Sequence, residues 1–216
     1  MKDSKTQRPS AADPTEGENA DAGQGGRRSV LTGLAAIACS CQALHWLPTR
    51  AEADDQTGTE ASNLPPQIGD RFTYIYGDKV GETIKPDDLP LGRDQKLVYP
   101  IDLKTGTVRD GSRLNMMLLV RLDPEALDAE TRPNAAEGVV AYSAVCTHHG
   151  CPVSMWSSKA KTLYCSCHGT EYDPTAAAKV VAGPAPRRLP MMPVAIEDGE
   201  IVVAGEFTSR VGSQNS

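Results

Sequence analysis

Aromatic residues are scarce in this chain: 5% of 216 residues, with two phenylalanines and two tryptophans. Positive charge is scarce too. Lys and Arg number 22 against 28 Asp and Glu, so the formal net charge is −6 and the pI is near 5.2. That balance argues against nucleic acid as a partner and leaves an acidic surface on which a basic partner can dock. No internal repeat is visible. The most apolar run, residues 29–47, is diluted by Ala, Gly, Ser and Thr, which makes it a weak permanent membrane span. The length fits one domain plus appendages, and an apolar content of 39% supports a packed core in the C-terminal two thirds.

Against these shortages, one stretch is dense in chemistry. It reads Cys146-Thr147-His148-His149-Gly150-Cys151 and, after a short connection, Cys165-Ser166-Cys167-His168-Gly169-Thr170-Glu171-Tyr172. Each box offers a cysteine and a histidine two or three residues apart: Cys146 with His148, and Cys165 with His168. Two thiolates on one iron and two neutral imidazoles on the other is the ligand set of a Rieske [2Fe-2S] centre, and the neutral ligands raise its potential. A structural zinc site takes the same residue types and stays open as an alternative.

The two boxes resemble the exported, disulfide-bearing branch of the Rieske family, with its C-T-H-x-G-C and C-x-C-H-G-[S/T] patterns. Position by position, the resemblance implies one [2Fe-2S] cluster held by Cys146, His148, Cys165 and His168. It also implies a disulfide between Cys151 and Cys167. It gives Thr170 and Tyr172 the roles of hydroxyl donors to cluster sulfur, where ordinary turn and strand packing is the alternative. Gly183-Pro184-Ala185-Pro186 matches the family's loop that shields the cluster. Two positions depart from the family. Ser166 stands where Pro is usual. His149 stands where quinol-oxidising relatives carry Leu, so it is either a contact for a partner or an exposed imidazole without a role.

Upstream, residues 1–26 are polar and read as a disordered tail. Arg27-Arg28 precedes the 29–47 run, resembling a twin-arginine (Tat) export signal, and Ala51-Glu52-Ala53 is an A-x-A cleavage motif. Related subunits keep this segment as an anchor, so membrane attachment through residues 29–47 and release after Ala53 both stay open. Export accounts for the cysteines: Cys39 and Cys41 fall in the leader, and the other four are ligands or disulfide partners. The division expected is 1–53 tail and signal or anchor, 54–68 linker, and 69–210 Rieske domain, with its cluster-binding part at about 140–187.

The pattern around the boxes is mainly β. Strands are expected at 72–76, 96–99, 116–122, 139–145, 162–164, 180–181, 194–196 and 201–203, with Asp198-Gly199 as a hairpin turn. Asp123-Pro124-Glu125 predicts a short helix over 124–131. Short strands at this spacing predict an antiparallel β architecture, and the resemblance makes it a Rieske-type β sandwich carrying two ligand loops.

By the same resemblance the chain is an electron-transfer subunit on the periplasmic side of the cytoplasmic membrane, and not catalytic alone. Its expected complex is a bc-type quinol:cytochrome c oxidoreductase, with cytochrome b, a c-type cytochrome and quinol as partners. The alternative is the small subunit of an arsenite-oxidase-like enzyme with a molybdenum subunit. Val140-Ala141-Tyr142-Ser143, Gly150-Cys151-Pro152, Lys161-Thr162 and Thr170-Glu171-Tyr172-Asp173 are similar to that family. An oxygenase needs a further iron held by two histidines and a carboxylate. With His45 in the leader, only His149 remains unassigned, so that centre cannot be built. A Rieske ferredoxin is disfavoured because it lacks the disulfide pair and the leader.

Overall fold

The computed structural model describes residues 60–213. The twin-arginine segment, its cleavage motif and the linker as far as residue 59 lie outside the described residues. The strands are β1 (Arg71–Tyr74), β2 (Lys96–Asp102), β3 (Thr107–Val108), β4 (Met117–Arg121), β5 (Val139–Ser143) and β6 (Met155–Ser157). They continue with β7 (Thr162–Cys165), β8 (Thr170–Asp173), β9 (Lys179–Ala182), β10 (Met191–Met192), β11 (Val194–Glu197) and β12 (Glu200–Val203).

One sheet runs β10-β5-β4-β2-β1-β12-β11, with β3 added beside β2. Its two end strands, β10 and β11, are separated in the chain by Pro193 alone, so the sheet curls until its edges meet in a nearly closed barrel. The second sheet, β6-β7-β8-β9, has four strands. Strand pairing in both sheets is antiparallel, so the mainly β antiparallel expectation holds.

The two sheets account for the apolar runs at 116–122 and 139–145. A strand with one wet face alternates apolar and polar residues. In β4 and β5 both faces are covered instead. Met117, Leu119, Val139 and Ala141 point into the barrel with Phe72, Val98 and Ile201. Leu118, Val120, Val140 and Tyr142 point the other way, against Leu163 and Tyr172 of the second sheet. The site therefore sits on a fully packed wall.

The Asp198-Gly199 turn is as expected, with both residues at positive φ, 52° and 77°, as a type I′ hairpin requires. The expected helix over 124–131 is not formed. A 3-10 turn at Pro124–Ala126, capped by Asp123, is followed by a second at Arg132–Asn134. Asp123 caps as its sequence position suggested. However, the Asp128 carboxylate accepts from Glu130 N and Thr131 N, which breaks any helix there. The Asp128 N–H bonds Thr175 O, 3.0 Å away, rather than a helical carbonyl. Strands β3, β6, β8 and β10 were not expected. The first, second and fourth are two or three residues long, and β8 lies in the ligand box.

The second sheet is held to the barrel partly by the Tyr142 hydroxyl, which donates to Pro174 O at 2.8 Å in a fully buried setting. Removing it leaves a buried carbonyl without its donor, at a cost of about 1–3 kcal/mol. Tyr142→Phe is expected to lower the unfolding free energy by that amount, read as a lower urea midpoint with an unchanged m-value; a midpoint equal to wild type would show that the contact is dispensable.

Candidate metal centre

Two connections carry the chemistry. The first leaves β5 and runs through residues 146–151; the second is the β7–β8 turn, residues 165–169. The first is folded back on itself: Gly150 N donates to Cys146 O and Cys146 N donates to Cys151 O, both at 2.8 Å. Gly150, at φ +74°, supplies the left-handed residue this turn needs. In the second, Gly169 N donates to Cys165 O at 3.1 Å, with Gly169 at φ +71°.

The disulfide expected from the resemblance is formed. Cys151 and Cys167 are bonded across 16 residues, with a Cα–Cα distance of 6.5 Å, and tie the two loops together. Cys146 and Cys165 are free and buried. The sulfurs of Cys151, Cys165 and Cys167 lie within 4.8 Å of one another, and only Cys165 of these retains a thiol for a metal. Burial, and Cys146 beside it, push the Cys165 thiol up to about 11.

The imidazoles converge at the tip. His148 and His168 lie with ring centroids 4.6 Å apart and planes perpendicular. His148 is half-buried and His168 is exposed. Burial lowers the His148 pKa, and the neighbouring His149 and His168 lower it further. His149 is exposed and joins the same ring group, 3.9 Å from His148 and 5.6 Å from His168.

Both hydroxyl residues singled out in the sequence sit at the base of the site. Tyr172 is fully buried, and its hydroxyl lies 3.2 Å from Cys146 Sγ. Burial, then the Cys146 thiol, raises its pKa. Thr170 is also fully buried, and among the described residues its Oγ1 has no hydrogen-bond partner. The loop 183–186 presses on the same place: a Cβ added at Gly183, which has φ +87°, would lie 2.5 Å from Thr170 Cα and 2.6 Å from Gly169 O. Only glycine permits that approach. Ala185 of this loop packs into the core beneath the site.

Thr147 was missed by sequence reasoning. It is fully buried; its Oγ1 donates to Arg187 O at 2.6 Å and lies 3.3 Å from the Tyr172 hydroxyl. It thereby joins the first ligand loop, the tyrosine and the chain after the proline loop. The family pattern fixes a Thr here, but its contact with Arg187, 40 residues on, left no local signal in the sequence.

Two buried polar atoms are orphaned at this spot, His148 Nδ1 and Thr170 Oγ1. Orphans of this kind are uncommon in native proteins and point to a missing partner. Two thiols and two imidazoles suit either a [2Fe-2S] cluster or zinc. Zinc held by four protein ligands offers further donors only its thiolate sulfurs, and the Tyr172 hydroxyl at Cys146 Sγ suits either group. A cluster brings sulfides of its own, which would give the orphaned Thr170 Oγ1 an acceptor. The residues fit the cluster.

Comparison with known proteins agrees. A Rieske [2Fe-2S] domain model matches residues 97–193. A protein of Haloferax mediterranei, provisionally named respiratory nitrate reductase subunit Rieske, is 35% identical over 182 residues, covering 83% of this chain and 74% of that protein. The chain belongs to the Rieske [2Fe-2S] family. The cofactor of a Rieske domain is a [2Fe-2S] cluster. The cytochrome bc1 complex Rieske iron-sulfur subunit of Streptomyces lividans is 35% identical over 98 residues, 44% of this chain and 58% of that subunit. In the Streptomyces coelicolor subunit the matched part is 28% of the whole, so this Rieske chain accounts for less than two thirds of either bc1 subunit. Among solved structures, the plasma membrane Rieske protein PetC3 of Synechocystis PCC 6803 is 26% identical, with coverage of 50% and 86% and a TM-score of 0.33.

The raised Cys165 pKa gives the cluster-free Rieske domain a pH signature. Its folded thiol holds a proton up to about 11, whereas the ordinary value is 9.0. The unfolded chain therefore ionises first, and stability present below about pH 9 is lost as the pH rises to about 11. The loss is expected as a urea midpoint that falls across this range in the metal-free protein. Cys165→Ser should remove this component; the same alkaline loss in that variant would assign it to other groups.

Proposed function

We propose that this chain is the single-electron carrier subunit of a respiratory oxidoreductase, with Cys146 and Cys165 holding one iron of the cluster and His148 and His168 the other. The observation that carries this is the pairing, across two disulfide-laced loops, of two buried free thiols with two facing imidazoles. When bound, the cluster supplies one-electron redox chemistry at a potential raised by its neutral ligands. The Tyr172 and Thr170 hydroxyls direct donors at the sulfur side, which favours the reduced state. The Gly183–Pro186 loop covers that side and keeps water from it. His168 is exposed, and its outer ring edge gives a partner a direct contact with the iron side.

The bc-type assignment draws support from the bc1 Rieske subunits to which the chain is similar. In that setting cytochrome b, a c-type cytochrome and quinol are the partners. A second reading rests on the Haloferax relative, which matches far more of the chain than the bc1 subunits do. There the same carrier would serve a nitrate-reductase-type complex, and a molybdenum subunit would take the place of the cytochromes. Export through the twin-arginine segment places the head on the periplasmic side, and the Cys151–Cys167 disulfide suits that oxidising compartment. Residues 69–210 form the head in this reading, with the cluster borne by about 140–187. Among the described residues no helix is long and apolar enough to cross a membrane. Residues 29–47 are the expected point of attachment, and the mature N-terminus distinguishes an anchor from release after Ala53.

Purification of the native complex from membranes tests both readings. A Rieske-type EPR signal developed by ascorbate, together with copurifying b-type haem, is the expected result. The same signal with nitrate reductase activity and no b-type haem would shift the assignment to the second reading. Zinc in place of iron would overturn the carrier role itself.

A further inference from the structure

The first ligand loop is gripped from a direction the boxes do not predict. The Arg113 guanidinium donates through Nη2 to Gly150 O. The approach is close: a Cβ added at Gly150 would stand 2.6 Å from that nitrogen. Arg113 opens the 3-10 turn Arg113–Asn115, which joins β3 to β4 and lies 37 residues before Gly150. Among the described residues it has no carboxylate within salt-bridge reach.

The platform under Arg113 is stiff. Arg109 and Asp70 form a two-pronged ion pair, 2.5 and 2.9 Å, with side chains only 6% and 4% exposed. Arg109 Nη1 also reaches Ala61 O at 3.2 Å. The buried Asn115 amide bonds Arg109 O at 3.0 Å and Leu64 O at 2.7 Å. Ser112 caps the turn through Leu114 N. Met116 O then accepts from Ala144 N at 2.9 Å, two residues before Cys146. The backbone that carries Arg113 is held in place by these contacts.

A peptide unit is planar and trans, so its C=O and N–H point in opposite directions. Holding Gly150 O fixes the Gly150–Cys151 plane, and with it the direction of the Cys151 N–H. Gly150 N is meanwhile bonded to Cys146 O, so the backbone from Cys146 to Cys151 has little freedom left. The charge acts as well. The reduced cluster is the more negative state, and a cation held on the first ligand loop favours reduction, by an amount that the solvent exposure of Arg113 reduces.

We propose that Arg113 is a positioning residue for the cluster, which fixes the Gly150–Cys151 peptide and raises the potential by its charge. This rests on the ligand assignment above. The test uses the full chain with its cluster loaded, comparing wild type, Arg113→Gln and Arg113→Lys by EPR, redox titration and urea unfolding. The wild type is measured first; no Rieske-type signal there would sink the ligand assignment and not this inference. Given that signal, Arg113→Gln should shift the potential downward and move the g-values, with a urea midpoint close to wild type. Arg113→Lys keeps the charge and should restore most of the potential. Potentials and g-values equal to wild type in both variants would overturn the proposal. So would equal loss of the cluster from both, which would mark a packing role alone.

Discussion

Everything near the centre depends on keeping two loops from different strand pairs within reach of one another. Neither loop is regular structure, and neither buries much apolar surface at its tip. The Cys151–Cys167 bond supplies the constraint directly, closing 16 residues, which by the chain-entropy account is worth about 3 kcal/mol. Hydrogen bonds complete it from inside: the Tyr172 hydroxyl touches the Cys146 sulfur, and Thr147 ties the same loop to Arg187 O. Below, the double-faced wall of β4 and β5 gives the loops a foundation with no slack, since Leu118, Val140 and Tyr142 back directly onto Leu163 and Tyr172.

This arrangement puts different demands on the two sides of the site. The thiols are buried at 2% and 1% exposure, where a cluster held by them would be shielded from water and from exchange. The imidazole side opens outward, from half-buried His148 to exposed His168 and His149. A carrier needs that asymmetry: one side to keep the cofactor and one to meet a partner. His149 widens the polar tip. An imidazole there offers hydrogen bonding where a leucine would offer only packing.

The centre was legible in the sequence because its chemistry needs particular residue types at fixed spacings. His148 faces His168, Cys146 lies beside Cys165, and the pairing of Cys151 with Cys167 followed from the resemblance. The long strands were legible from apolar runs, and the 198–199 turn from Asp-Gly. What failed was local. Asp123 and Pro124 announced a helix start, but Asp128 spends its carboxylate on Thr131 N and Glu130 N, and the segment turns to bond the loop at 175. Arg113 and Thr147 stayed invisible because their roles are set by contacts 37 and 40 residues away, which no window of sequence contains.

The central claim is that of two adjacent histidines only His148 joins His168 at the iron, while His149 stays outside. Pulsed EPR on the reduced full-length protein, labelled with ¹⁵N-histidine, counts the imidazole nitrogens bound to the cluster. Two strongly coupled nitrogens, with the same couplings in His149→Leu, are the result predicted. A single nitrogen, or couplings that change on replacing His149, would contradict the assignment.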